Sequence, residues 1–376
     1  MTINNKIKVL QIIHSMHIGG AEKVVADIAQ NINSEVFEVE VCCIKEEGVL
    51  ADEIKKSGGV VRALPYEKKN FSNIVRGLSQ VIEESQPDII HTHGDVALID
   101  IGPLLIFKKL PKVIHTYHFG NYPHIKKRYL LASVLFSQFP DKLISVSDHQ
   151  QKNVIKYLRA PRNKISTIVN GVNSNPYIHE ELSINEITRE GFANDSDLIV
   201  GSVAVLTKQK GIPFLLEAIL QISKERTNIK FIIAGGGPLE DELRAQAVEL
   251  GISEIVHFTG WRSDALKFMN VFDIFIMPSL WEALPIVLLE ALASRKTIIT
   301  TDVGDNSKII EHMTNGVLIP PKDPQAITDA ILKLADDPSL REAMRKHAYD
   351  SYINNYTSKK MIEAYEGEYR KLMDQQ

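Results

Sequence analysis

Short apolar runs rich in β-branched residues alternate along the chain with longer stretches whose apolar positions recur every three or four residues. Lys8 to Ile13 is the first such run, followed by an amphipathic segment over about Ala21 to Gln30 and a second run over Val36 to Ile44. Ile89 to His91, Lys112 to Thr116, Lys142 to Val146 and Lys164 to Val169 continue the series, the last running into the Asn170-Gly171 turn. Strands alternating with helices at this spacing predict βαβ units and a parallel sheet.

The stretch from Asn173 to Asp197 is polar, and after it the rhythm restarts. Leu198 to Val205, Ile229 to Ala234, Ile255 to Thr259, Ile274 to Met277 and Thr297 to Thr300 predict a second sheet. The fold class expected is therefore α/β, with two Rossmann-like, doubly wound domains facing a cleft. A length of 376 residues, against roughly 100–200 for one domain, agrees with that division. The expected boundaries are residues 1–178, 179–350 and 351–376. The last apolar-periodic segment, Ser358 to Leu372, has no strand after it and is expected to return to the first domain.

Charge and cysteine content narrow the function classes. The formal net charge of −4 gives no bulk attraction for nucleic acid, and apolar content is ordinary for a globular protein. The two cysteines, Cys42 and Cys43, are neighbours, where a mutual disulfide is strained and further sulfur ligands for a metal are lacking. A reducing, cytoplasmic compartment is expected. Ile7 to Ile13 reads as a first strand rather than a signal peptide, because no cleavage-like ending follows it. The window Ile99 to Phe107 contains Asp100, ends at Lys108 and Lys109, and falls short of the roughly 20 residues of a spanning helix. Residues 101–140 have no acidic side chain, yet Lys108, Lys109, Lys112, Lys126, Lys127 and Arg128 stand among Phe, Tyr, Leu and Ile. This basic-apolar surface is either a solvated face or, over residues 108–128, a peripheral contact with anionic membrane or a phosphate-bearing acceptor.

The residues richest in chemistry run from Pro278 through Glu282-Ala283-Leu284-Pro285-Ile286 to Glu290-Ala291. Pro285 fits a first helical residue, the apolar run behind it a buried helix, and the backbone N–H groups around Ala283 to Val287 then face outward. Glu282 before the helix and Glu290 within it lie at most about 12 Å apart along the axis, the span of a nucleotide sugar. One carboxylate would hold sugar hydroxyls and the other ribose hydroxyls; the alternative is an exposed helix with two solvated glutamates. Lys210-Gly211, with Pro213 near a helix start, places an ammonium beside free amides, a cradle for a diphosphate. Gly19 and Gly20 let backbone approach a ligand or simply form a tight turn. His118, at the end of a strand, could hydrogen-bond a sugar hydroxyl or be structural. Gly235 to Gly237 is not the dinucleotide fingerprint, since Glu240 stands at its third glycine position.

Glu282 and Glu290 reproduce the E-x7-E signature of glycosyltransferase family 4, and the chain resembles that family along nearly its whole length. Gly19-Gly20-Ala21-Glu22, Thr116-Tyr117-His118, Val146-Ser147 and Asn170-Gly171-Val172 fit its first domain. Lys210-Gly211, Ala234 to Leu239, Phe258-Thr259-Gly260-Trp261, Thr301 to Gly304 and Asn315 to Pro321 fit its second. The resemblance implies a retaining enzyme of GT-B architecture, with a nucleotide-diphosphate sugar, by habit a UDP-sugar, as donor. A glycan or lipid-linked molecule would be the acceptor, and cell-surface polysaccharide or glycoconjugate synthesis the setting. It implies His118, Lys210 and Glu282 as catalytic residues. Gly19, Gly20, Lys210, Gly236, Trp261, Arg262, Glu282, Ala283, Leu284, Pro285, Ile286 and Glu290 would bind the donor. No cofactor and no metal are expected: Asp195-Ser196-Asp197 resembles a metal-binding D-x-D but lies in the interdomain linker.

Four positions depart from the family pattern. Val205 stands where an arginine usually pairs with the lysine on the phosphates, so Lys208 or Lys308 would have to supply the charge. Asp305 replaces a glycine, Lys308 a glutamate, and Phe119 a frequent aspartate. These departures keep open a catalytically impaired homologue acting as a binding or partner subunit, and a sugar-nucleotide epimerase remains a further alternative.

Overall fold

A computed structural model describes residues 6–64, 70–178, 192–194, 196–262 and 264–374. Contacts divide the chain into two units, Met1–Gly171 with Ser358–Gln376, and Val172–Thr357. The change-overs therefore fall at 171/172 and 357/358, rather than at 178/179 and 350/351. The reason is local: Val172 N–H donates to Tyr356 O at 2.9 Å and Val172 pairs with Thr357 as a parallel bridge. Those contacts hold both crossing strands within the second unit.

The first unit is built on seven strands: β1 (Ile7–Ser15), β2 (Phe37–Glu46), β3 (Val60–Ala63), β4 (Ile89–His93), β5 (Lys112–Tyr117), β6 (Lys142–Ser145) and β7 (Ile165–Thr167). They pair in parallel in the order β3-β2-β1-β4-β5-β6-β7. The short β3 has no counterpart among the expected strands. Between the strands run α1 (Gly20–Asn31), α2 (Val49–Lys56), α3 (Phe71–Ser85), α4 (Gly94–Phe107), α5 (Lys127–Phe136) and α6 (Asp148–Tyr157). Helices on both faces leave Leu10, Ile12, Ile90 and Ile114 without exposure, which is why these strands read as continuous apolar runs. Cys42 and Cys43 are free and buried, and burial pushes the Cys43 thiol up to about 12.

The second unit pairs six strands in parallel: β8 (Leu198–Val203), β9 (Ile229–Ala234), β10 (Val256–Phe258), β11 (Ile274–Met277), β12 (Thr297–Thr301) and β13 (Val317–Ile319), in the order β10-β9-β8-β11-β12-β13. Its helices are α7 (Ile212–Ser223), α8 (Glu240–Glu249), α9 (Ala265–Val271), α10 (Ile286–Ala293), α11 (Asn306–Ile309), α12 (Pro324–Asp336) and α13 (Pro338–Asn355). The terminal α14 (Ser358–Asp374) belongs to the first unit, where Tyr365 and Tyr369 are fully buried and Tyr369 meets Phe37 edge-on. Among the described residues no helix is long and apolar enough to cross a membrane.

In each sheet the strand order changes course once, between β1 and β4 in the first unit and between β8 and β11 in the second. Such a switch point opens a crevice outside the carboxyl ends of the strands, where α/β sheets take their ligands.

Candidate functional site

At the switch point of the second unit the loops after β8 and β11 are locked together. A 3-10 turn, Lys208–Lys210, ends at Gly211, whose backbone is left-handed at φ 65°, and α7 follows with Pro213 in its first turn. A β-carbon on Gly211 would sit 2.1 Å from Pro278 O, so only glycine lets the β11 loop pass this close. Leu280 N–H then donates to Gln209 O at 2.7 Å, and Gly304 (φ 61°) packs beneath the Glu282 carbonyl from the β12 loop.

This clasp brings Lys210 Nζ to 2.6 Å from Glu282 Oε1, with side-chain exposures of 17% and 6%. Gln209 Nε2 donates to the other carboxylate oxygen, Glu282 Oε2, at 3.1 Å and to Trp281 O at 2.9 Å. Glu282 is therefore held at both oxygens by a cation and an amide, a charge-assisted arrangement with defined geometry. The helix behind it, α10, begins at Ile286. Pro285 is its cap residue with extended backbone, φ −73° and ψ 122°, not its first helical residue. The first-turn amides of Ile286 and Val287 have no partner within the helix. Ala283, Leu284 and Ile286 are buried, and so is Glu290, at 9% exposure. Neither glutamate belongs to a solvated face.

The remaining expected donor residues flank this centre. A β-carbon on Gly236 would touch the Trp261 indole at 2.5 Å, and Trp261 itself is exposed. Arg262 is bound bidentately to Asp264 at 2.7 and 2.8 Å and lies over the Phe268 ring. Its guanidinium therefore presents only its remaining N–H groups to a ligand. Val205 is half-buried at the end of the β8 segment, where it brings no charge. Lys308 stands 3.6 Å from Asp305. Asp195 lies outside the described residues, and among the described residues no group of three or more His, Cys, Asp or Glu is arranged to hold a metal ion.

In the first unit Gly19 caps α1 with extended backbone and Gly20 opens the helix, directly after β1. At the carboxyl ends of β4 and β5 four imidazoles gather: His91, His93, His115 and His118. His118 Nε2 and His93 Nδ1 are 3.2 Å apart, with rings stacked at 20°. His91 is fixed at both nitrogens, Nδ1 at 2.6 Å from Tyr369 Oη and Nε2 at 2.8 Å from Thr116 Oγ1. Burial holds all four below the usual histidine range, His118 at about 4 and His115 at about 3, so all are neutral at pH 7.

Two family models match the chain, one in each half: "Glycosyltransferase Family 4" over residues 18–175 and "Glycosyl transferases group 1" over residues 183–351. The chain belongs to glycosyltransferase family 4. An Escherichia coli UDP-Gal:alpha-D-GlcNAc-diphosphoundecaprenol alpha-1,3-galactosyltransferase is 24% identical over 96% of both chains. An uncharacterized glycosyltransferase of Methanocaldococcus jannaschii is 29% identical over 74% of this chain and 75% of its own. Among solved structures, Anabaena HepE in complex with UDP-glucose superposes with a TM-score of 0.84 at 21% identity, covering 98% of this chain and 100% of that one. The fold is thus the GT-B fold, and the chain is a glycosyltransferase of the type that acts on nucleotide sugars.

To the residues expected from sequence, the structure of this family 4 chain adds His91, His93, His115 and Gln209. A signal for the first pair was present: His91-Thr92-His93 sets polar groups at the carboxyl end of an apolar strand, the edge where ligands bind. Gln209 gave none, because its contact with Glu282 spans 73 residues.

Proposed function

We propose that this enzyme transfers a hexose-type sugar from a UDP-sugar, with retention of anomeric configuration, to a glycan or lipid-linked acceptor in cell-surface glycoconjugate synthesis. The second unit binds the donor and the first presents the acceptor. The observation that carries the reading is the Lys210–Glu282 pair beside the amide-bearing start of α10. Lys210 and the helix amides meet the departing diphosphate, where preorganised charge is worth most. Glu282 holds sugar hydroxyls, Glu290 the ribose, and His118 orients the sugar. Gly19, Gly20, Gly236, Trp261 and Arg262 complete the donor site.

Transfer needs no metal in this scheme, because an ammonium and helix amides already face the diphosphate. The retaining path follows same-face attack in which the leaving phosphate takes the acceptor proton, so no protein nucleophile is required. The E. coli relative, named for a UDP-Gal donor and a diphosphoundecaprenol acceptor, supports a UDP-sugar and a lipid-linked acceptor here.

A lipid-linked acceptor suits a chain that docks on the inner face of a membrane, and the first unit offers a surface for it. Phe107 at the end of α4 is 83% exposed, and Leu131 and Leu135 on α5 are 61% and 51% exposed. Gly102 of α4 packs against Phe136 of α5, so these side chains share one region with Lys109, Lys127 and Arg128, while Lys108 is paired with Glu83 at 2.6 Å. Apolar groups ringed by cations suit anionic lipid.

A purified-protein screen against UDP-, GDP- and ADP-sugars with lipid-linked acceptors, in buffer with and without EDTA, tests the proposal. Proton NMR of the product reads the anomeric configuration. UDP-sugar consumption with retention and no loss in EDTA is expected; an inverted product or a metal requirement overturns the mechanism. A second reading, a partner subunit without turnover, draws on Val205 in place of a phosphate-binding cation. Donor binding without transfer or hydrolysis would select it.

A further inference from the structure

We infer that His93 is a positioning residue that fixes the proton of His118 on Nδ1, so that His118 meets its ligand as a hydrogen-bond donor rather than as a base. The inference rests on the reading of His118 as a sugar contact only for its kinetic consequence; the proton placement stands by itself.

A hydrogen bond between His93 Nδ1 and His118 Nε2, at 3.2 Å, needs one N–H and one lone pair, and which nitrogen carries the proton is set by the bond the other makes. Each ring is neutral near pH 7 and so has one N–H. If His118 Nε2 were the donor, His93 would carry its own proton on Nε2. That atom is buried without a partner. A buried N–H lacking an acceptor is the rarer arrangement in folded proteins. With His93 donating from Nδ1, its Nε2 is a bare lone pair, and His118 must hold its proton on Nδ1.

The surroundings keep His93 in place. His91 packs against it at a centroid distance of 3.9 Å and is itself pinned by Tyr369 and Thr116. His118 is half-buried, and its Nδ1 makes no hydrogen bond to the described residues. An N–H at the carboxyl edge of the sheet thus faces outward, aimed by a chain of contacts that starts on α14. The ligand atom it suits is an oxygen with a free lone pair, such as a sugar hydroxyl oxygen.

Nitrogen-15 histidine NMR of the full chain tests the placement, with His118→Gln used to assign the signal. The wild type should show His118 protonated at Nδ1 and bare at Nε2. His93→Ala should shift or mix that tautomer and raise KM for the donor about tenfold with a smaller change in kcat. His93→Asn, whose amide can donate from where Nδ1 stood, should restore both. A wild-type His118 protonated at Nε2, or a tautomer unchanged in His93→Ala and His93→Asn alike, overturns the inference. Should the tautomer be as stated while His118→Gln leaves donor kinetics untouched, the proton placement stands and the sugar-contact reading falls.

Discussion

Lys210 Nζ donates to Glu282 Oε1 at 2.6 Å across 72 residues of chain, and the second carboxylate oxygen is taken by the neighbouring Gln209. A carboxylate and an ammonium almost withdrawn from water, each compensating the other, form a centre in which removing one partner strands the other. A diphosphate arriving there would compete with Glu282 for Lys210, leaving the glutamate for sugar hydroxyls.

Lys210→Ala should lower turnover by about 2.7–4 kcal/mol of barrier, the cost of losing a preorganised charge donor. Steady-state kinetics with a UDP-sugar reads it, and an unchanged kcat removes Lys210 from the chemistry. Thermal melting of the same variant should also show a loss, since Glu282 is left buried without its cation.

Val205→Arg should tighten donor binding if the proposed donor site is right, since the half-buried valine stands where the family resemblance places a second phosphate cation. Isothermal calorimetry with UDP should register a lower Kd. No change would mean that Lys208 or Lys308 already fills that role.

Two glycines in left-handed conformation should respond differently to alanine. Gly211→Ala puts a β-carbon 2.1 Å from Pro278 O, whereas Gly251 (φ 69°) has nothing within 4 Å of its β-carbon. Gly251→Ala should cost only the backbone penalty of about 1–2 kcal/mol. Gly211→Ala should cost more and depress donor affinity, as the loop bearing Glu282 is pushed away. Equal urea midpoints for the two variants would contradict the close approach.

Acid should destabilise the first unit. The four clustered imidazoles, His91, His93, His115 and His118, stay neutral when folded but take protons near pH 6.5 when unfolded, so the stability they allow is complete above pH 6.5 and is lost as pH falls towards 4. Each such group weakens folding by about 1.4 kcal/mol per pH unit inside that window. Asp100, raised to about 6 by burial, acts in the opposite sense, since its protonation at low pH relieves a desolvation cost. Urea denaturation at pH 7.5, 6 and 5 should give falling midpoints, and His115→Gln should flatten the slope. A flat profile in the wild type would deny the buried, neutral cluster.

Phe107→Ser combined with Leu131→Ser should reduce co-sedimentation with phosphatidylglycerol vesicles, while transfer to a water-soluble acceptor continues. Binding to uncharged vesicles should be weak in both proteins. Retention of vesicle binding by the double variant would place the contact elsewhere.

Periodicity alone was enough to read the two parallel sheets, because strands buried on both faces must be apolar throughout and helices between them must be amphipathic. Thus Ile229–Ala234 and Ile274–Met277 have the bounds their residues suggest. Spacing also marked Glu282, Glu290 and Lys210 as candidates, since a proline and an apolar run announce a helix start wherever they occur. Short β3 and β13 escaped because Arg62 interrupts the first, and the three residues of the second lie between the turn formers Asn315-Gly316 and Pro320-Pro321. What tertiary structure alone decided is which groups share a proton or a charge. Gln209 with Glu282, His93 with His118, and Tyr369 with His91 join residues 73, 25 and 278 positions apart. Local pattern is set by backbone geometry over a few residues, whereas these pairings depend on which strand ends a sheet brings side by side. Sheet order is a property of the whole folded chain.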